Sequence, residues 1–413
     1  MELGIKVNAR PFCLLILINA FVGATVGLER AVLPLIAKAS FGLVSKSVTL
    51  SFLISFGITK AFANLFAGHL SDRIGRKRML IAGWLAGLPV PFLIMFAPAW
   101  GWIVFANVLL GINQGLCWST TLIMMIDMAG PKRRGLAIGI NEFIGYAGVS
   151  LSALMTGYLA TAYGLRPAPF YPGIAFVIAG LLLSCFVLDT RAYARSEAGA
   201  SSERPSFTQI MLLTLWKQPT MFCASQAGMI NKINDGLVWG LLPIFWSAAG
   251  MSVSQIGYAA ATNPAVWGIC QLATGELSDR WGRKWMIATG MWMQAAGIGV
   301  FLLSPGVGMA VTGAAALGVG TALVYPTLLA TISDAAKPAW RASALGVYRM
   351  WRDGGYAASG LLAGTLADGM GIPTAIAAVA ALTFLSGVVV AVRMNETILE
   401  PQMKSAGVNG GVY

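Results

Sequence analysis

Long apolar runs alternate with short polar, basic turns along the whole chain. A run of about 20 apolar residues, wound as a helix, is long enough to cross a bilayer. Twelve such runs stand out, roughly 11–33, 48–70, 79–98, 102–126, 135–162, 170–188, 219–245, 253–277, 286–304, 307–332, 342–365 and 372–392. Strand-type alternation of apolar and polar positions is missing, which argues against an outer-membrane barrel. Pro219 opens the seventh run, where a residue without an N–H is tolerated. Ser252-Val-Ser-Gln255 is a capping-box pattern ahead of the eighth. Pro89 and Pro91 in the third run and Pro264 in the eighth predict bends.

Composition agrees with the pattern. The 413 residues are 57% hydrophobic and only 11% charged, whereas a soluble chain of this size carries about a quarter charged residues. The net charge of +12 would otherwise suggest nucleic acid, but the basic residues sit in the turns. Of 28 Lys and Arg, 20 fall on the side of one repeated turn, 3 on the other (Lys38, Lys46 and Arg166) and 5 inside runs. Such asymmetry predicts that both termini and the repeated turns are cytoplasmic. Five cysteines are scattered singly, and the single histidine, His69, has no partner ligand in sequence. No metal site, disulfide framework or cofactor is expected. The motifs of nucleotide hydrolysis, serine hydrolysis and zinc proteolysis are missing, so the chain is read as neither an enzyme nor an ATP-driven pump. A long first run without a small-residue cleavage site predicts no removable leader.

The turn Gly68-His-Leu-Ser-Asp-Arg-Ile-Gly-Arg-Lys77 recurs 207 residues later as Gly275-Glu-Leu-Ser-Asp-Arg-Trp-Gly-Arg-Lys284. At the same offset Gly83 meets Gly290, Gly111 meets Gly318, Asp127 meets Asp334, Gly157 meets Gly364, and Thr190 meets Thr397. An ungapped repeat of this length predicts two homologous six-helix halves in parallel orientation. The expected fold is an all-α membrane protein with twelve transmembrane helices in two pseudo-symmetric bundles, 1–190 and 219–400. A polar cytoplasmic linker (191–218) joins them, and a tail (401–413) follows.

The repeated turn resembles the loop signature of the major facilitator superfamily of secondary transporters. The resemblance implies alternating access about a central site, in a monomer of the bacterial-type inner membrane. It also implies a conformational latch, here Gly68, Asp72, Arg73, Gly75, Arg76 and Asp127, with Gly275, Asp279, Arg280, Gly282, Arg283 and Asp334 as the second copy. In the family the signature's aspartate caps a helix across the interface, and the later arginine pairs with the acid ending the fourth helix. Two departures stand out. Asn107 occupies the place of the fourth-helix arginine found in many proton-coupled members, four residues before Gly111. The fifth helix, Gly145-Tyr-Ala-Gly148-Val-Ser-Leu-Ser, lacks the proline of the drug-antiporter pattern.

Ionisable residues inside the runs carry the candidate chemistry. They are Glu29 and Arg30, Lys60, Glu142, Lys232 and Asp235, and Arg349, Arg352 and Asp353. Runs 3, 6, 9 and 12 have none in their interiors. A charge facing lipid costs at least a few kcal/mol, so the uncharged runs form the outer wall and the charged ones face a cavity or each other. Lys232 and Asp235 share a helical face and can pair. Asn231, Gln114 and Tyr325 add polar groups. Glu142, Asp235 and Asp353, with Glu29 behind them, are the candidate proton carriers, since a carboxyl in a partly dry cavity can exchange a proton near neutral pH. Five cations against four carboxylates leave the substrate's charge open. The predicted function is proton-coupled movement of a small solute, with efflux ahead of import of an anionic nutrient or an inorganic or metal ion. A non-transporting sensor of the same fold is the other alternative. Expected partners are the solute, protons and the lipid bilayer, with no nucleic acid.

Overall fold

The computed structural model describes residues 4–129, 134–190, 205–303, 306–336 and 340–397, with side chains at 68–73, 134–135, 275–276, 279–280 and 341–342 outside the description. The described residues are helical, without strands.

The first half runs α1 (Ala9–Arg30), α2 (Leu33–Phe41), α3 (Lys46–Thr49), α4 (Ser51–Ile74), α5 (Arg76–Gly87), α6 (Val90–Met95), α7 (Trp100–Ala129), α8 (Arg134–Tyr163) and α9 (Tyr171–Cys185). A short α10 (Phe207–Leu212) lies in the linker, behind a capping box of Ser206 and Gln209. The second half runs α11 (Pro219–Ala248), α12 (Val253–Trp281), α13 (Arg283–Val300), α14 (Val307–Ala335), α15 (Arg341–Asp353), α16 (Gly355–Met370) and α17 (Ile372–Arg393).

These helices fall on the twelve runs. Pro89 and Pro91 split the third run into α5 and α6. Pro264, by contrast, sits inside a continuous α12. The Ser252–Gln255 capping box is formed in both directions. The first run breaks at residues 31–32 and the eleventh at Gly354, each just past its charged residues. Seven helical segments are long and apolar enough to cross a membrane by length and composition alone. α4, α11 and α12 reach 24, 30 and 29 residues, but their ionisable and amide side chains dilute the apolar content.

Within the first half, α1 packs on α8 and α9, and α4 and α5 pack on α7. Within the second, α13 and α12 pack on α14, α13 on α17, and α11 on α16 and α17. The halves meet mainly through α8 with α12 and α4 with α15 and α16; α3 with α16 and α2 with α11 add to the interface. Of the uncharged runs, the sixth and twelfth lie outermost, at 33% and 39% buried, while the third, at 50%, is less exposed than the fifth, which carries Glu142. Only 33% of the apolar stretch at Ala168–Cys185 is buried, against 67% in Trp100–Ala129. Leu182 on α9 and Leu385 on α17 are exposed, as lipid-facing side chains are.

Repeat symmetry is visible in detail. Gly75 and Gly282 precede α5 and α13 with φ of 105° and 90°, a conformation that side chains disfavour. A Cβ on Gly111 would meet the backbone of Phe56 and Lys60; one on Gly318 would meet that of Asn263 and Trp267. Both partners shift by the same 207 residues.

Candidate functional site

The charged residues converge where the two halves meet. Asp235 on α11 is the centre. Arg30, the last residue of α1, donates to both its oxygens, at 2.6 Å and 3.1 Å. Lys232 Nζ stands 3.2 Å from Asp235 Oδ2, as their three-residue spacing allows. The Tyr356 hydroxyl on α16 donates to the same oxygen. Lys232 also reaches the Tyr356 and Tyr146 hydroxyls, at 3.2 Å and 3.5 Å. Arg30 lies over the Trp239 ring at 5.3 Å and Lys232 over Trp267 at 4.8 Å. A carboxylate buried this deeply costs several kcal/mol unless paired and hydrogen-bonded; here two cations and a phenol satisfy it. Arg30 is from the first half and Asp235 from the second, so this bidentate pair spans the interface.

A second set lies nearer the repeated turns. Asp353 ends α15. Asn64 Nδ2 on α4 donates to its Oδ2 at 2.6 Å, Arg352 Nε stands 3.2 Å from its Oδ1, and Lys60 Nζ is 4.0 Å away. The Arg352 guanidinium lies 4.2 Å from the Tyr325 ring centroid. Lys60 sits among the rings of Phe56, Trp118 and Tyr356 at 5.5, 5.7 and 5.5 Å. Glu142 on α8 is buried; Trp118 Nε1 donates to its Oε1 at 2.9 Å, and its Oε2 has no hydrogen-bond partner. Arg349 is partly exposed and acts electrostatically on Asp353 and Tyr325.

Three predicted site residues lie elsewhere. Glu29 points into the first half, beside Asn107, in a pocket it shares with Leu110, Asn113 and Phe170. Gln114 donates to the Val22 carbonyl and to Thr25, between α7 and α1. Asn231 donates to Gln294 and Thr321, inside the second half. Glu29 and Arg30 are neighbours about 100° apart around α1, so only one of them can face the interface.

The sequence reading includes Tyr325 but passes over Phe56, Tyr146, Trp239, Trp267, Tyr356 and Asn64. A signal for all but Trp267 existed. Phe56 and Asn64 are four residues either side of Lys60, Tyr146 is four after Glu142, Trp239 four after Asp235, and Tyr356 three after Asp353. Each shares a helical face with a charge.

At the end bearing the repeated turns, Arg76 Nε is 2.8 Å from Asp127 Oδ2, which accepts from Thr190 at 2.6 Å. The second copy sets Arg283 Nε 3.2 Å from Asp334, which accepts from Thr397 at 3.3 Å. Glu396 caps α13 through the amides of Arg283 and Lys284. Each set lies within its own half. The side chains of Asp72, Arg73, Asp279 and Arg280, with Gly68 and Gly275, fall outside the described residues, as does that of His69. No group of three metal-ligating side chains occurs among the described residues.

The two ends of the interface differ. At the end away from the turns, Gly157 of α8 abuts Gly257 of α12, and Gly364 of α16 abuts Ser47. There Asp368 accepts from the Ser45 and Ser47 hydroxyls and from the amides of Lys46 and Ser47. Against its desolvation, the Ser47 hydroxyl first, then the Lys46 and Ser47 amides and the Ser45 hydroxyl, hold Asp368 well below the usual carboxylate range. At the turn end, the repeat-related Gly139 and Gly346 have open space where a side chain would stand.

A family model described as Major Facilitator Superfamily matches residues 15–233 and 225–406. Relatives include a multidrug resistance protein, MdtG, of Proteus mirabilis, 28% identical over 68% of this chain and 69% of that protein. An uncharacterized MFS-type transporter of Salmonella typhimurium is 24% identical over 89% of this chain and 92% of its own length. Among solved structures, a mutant of the peptide transporter POT in complex with alafosfalin superposes with a TM-score of 0.71 at 14% identity, covering 92% of this chain and 93% of its own. A bacterial homologue of the human lysosomal transporter Spinster, inward-facing and unoccupied, gives 0.68 at 16%, covering 94% and 96%.

Proposed function

The chain belongs to the Major Facilitator Superfamily, and we propose that it exports a small solute across a bacterial-type inner membrane in exchange for protons, by alternating access. One observation carries this: a charged, aromatic-walled cluster joins the two halves through Arg30 and Asp235, closed at one end and with open space at the other. Rocking the halves would expose such a cluster to each side in turn. The Lys and Arg asymmetry favours a cytoplasmic turn end, and on that reading, with the far end packed through Gly157 and Gly364, this state is taken as inward-facing. Export is favoured over import because several relatives bear the name multidrug resistance protein.

Glu142 is the carboxyl best suited to couple protons. Asp235 and Asp353 each have a cation within 3.2 Å. Glu142 is buried without an ion pair, so it can take and release a proton without breaking one. Gain or loss of that charge would change the field on Lys60, which stands 4.0 Å from Asp353 of the other half.

The test is purified full-length protein in liposomes holding a pH-sensitive dye, with a solute panel added with and without a pH gradient. Solute-dependent proton movement is expected, and Glu142→Gln should retain downhill solute movement while losing the proton flux. Solute flux in that variant still driven by the gradient would remove Glu142 from the mechanism; no solute movement under any condition would remove the transport proposal.

A further inference from the structure

On the transport function proposed above, we infer that the solute is a small organic oxyanion, a carboxylate, phosphonate or phosphate on an apolar body, gripped by Lys60 and Arg349. The inference begins with a charge count that the structure changes. Nine ionisable residues lie in the apolar runs, but Glu29 turns into the first half and leaves the interface. What remains between the halves is five cations, Arg30, Lys60, Lys232, Arg349 and Arg352, against three carboxylates, Glu142, Asp235 and Asp353. An excess of two positive charges in a largely buried interface is costly on its own and is relieved by an anion.

The excess is spread: the Asp235 set keeps one positive charge over, Lys60 and Arg349 add two, and Glu142 offsets one, but only Lys60 and Arg349 lack a close carboxylate of their own. Asp235 is taken by Arg30 and Lys232, and Asp353 by Arg352 and Asn64. Lys60 is left 4.0 Å from Asp353, past hydrogen-bond distance. It donates to no oxygen among the described residues, and its ammonium has only ring faces within reach. Arg349 has no hydrogen bond or ion pair among the described residues. It stands one helical turn from Asp353, on the partly exposed side. Gly346, three residues before Arg349, faces open space, so a ligand has room to approach from the turn end.

Lys60 is on α4 and Arg349 on α15, the helices that meet across the interface. An oxyanion between them would be held from both halves at once. Guanidinium and ammonium groups suit that chemistry through charge-assisted hydrogen bonds. The aromatic walls do not favour a lipophilic cation instead. The faces that would receive one are already covered by the protein's own cations: Trp239 by Arg30, Trp267 by Lys232 and Tyr325 by Arg352.

The experiment uses the full chain in liposomes and nanodiscs with three probes of one size: benzoate, phenylphosphonate and phenyltrimethylammonium. Binding is read by thermal shift and movement by counterflow. The two anions should raise Tm and be moved, and the cation should do neither. Lys60→Gln and Arg349→Gln should each weaken phenylphosphonate by about tenfold or more, the scale of one charge-assisted hydrogen bond. Lys60→Arg should stay within about threefold of the parent, which separates lost charge from lost folding. Movement of the cation but of neither anion overturns the inference and leaves the transport proposal standing. Undiminished anion affinity in both Gln variants overturns the assignment of Lys60 and Arg349. If no probe of either charge binds or moves, the inference falls together with the transport proposal.

Discussion

Asp235 holds two cations and a phenol at once, and its removal makes the sharpest residue-scale prediction. Asp235→Asn leaves Arg30 and Lys232 buried without their counter-charge. Breaking a buried pair in this way costs about 3–5 kcal/mol, so the variant should lose transport and melt markedly lower. Adding Arg30→Gln should recover part of the stability but none of the transport, because one uncompensated cation is gone while the site is still dismantled. Wild-type melting in Asp235→Asn would show that the pairs add nothing to the fold. How much of this was legible differs by residue. Lys232 and Asp235 are three apart on one helix, and their 3.2 Å contact follows from spacing alone. Arg30 meets Asp235 across 205 positions, and no local pattern specifies which α1 residue turns toward α11. Glu29 was grouped with Arg30 for that reason, though successive helical residues cannot share a face. For Gln114 and Asn231 sequence alone does not separate site from scaffold, since a buried amide serves equally well as a link between helices.

At the scale of elements, the helix pairs α8/α12 and α4/α15–α16 are the surfaces that must slide or part if the halves rock. Their closed end rests on glycine. A Cβ built on Gly157 would lie 2.8 Å from Gly257 Cα, and one on Gly364 would lie 2.8 Å from Ser47 Cα, distances that side chains do not tolerate without movement. Gly157→Leu should therefore prop this end apart. A cysteine-specific reagent should then reach a probe cysteine at Ser150, whose hydroxyl now donates to the Ala261 carbonyl, faster by about tenfold or more in the Leu variant. Equal labelling rates would mean that the pair does not control closure. The twelve runs were plain in the sequence because apolar length is a local property. The break at Gly354 was not, since the neighbouring residues Arg352-Asp353-Gly354-Gly355 lie within a run whose pattern continues on both sides. Pro264 shows the reverse: an apparent breaker is absorbed in a continuous α12, as membrane helices allow when neighbours satisfy the freed carbonyl.

For the whole molecule, the repeat is exact enough to build two matching halves and inexact where they must behave differently. Gly157 and Gly364 are repeat-related, and both pack across the interface at the end away from the turns. Four residues further on, the copies diverge. Asp368 crosses to the other half and caps α3, whereas its counterpart Thr161 bonds only to the Gly157 carbonyl of its own helix. Only the α16 side therefore has a charged grip, and that grip titrates. In the open state Asp368 would have the ordinary carboxylate value, about 3.9; in the closed state its hydrogen bonds hold it lower. A group whose value is depressed in one state stabilises that state above its ordinary value and ceases to do so as pH falls through the lower one. Closure should thus be favoured at neutral pH and weaken below about pH 4. Lys46, next to the cap, turns its ammonium to the Val44 carbonyl. Spin labels on cysteines replacing Val44 and Met370, both exposed at this end and in opposite halves, would report the gap by pulsed EPR. The short-distance population should dominate at pH 7 and shrink at pH 3.5. Asp368→Asn should lengthen the distances already at pH 7 and remove most of their dependence on acid. If acid lengthens the distances equally in parent and variant, another carboxyl controls closure and Asp368 is only a surface contact.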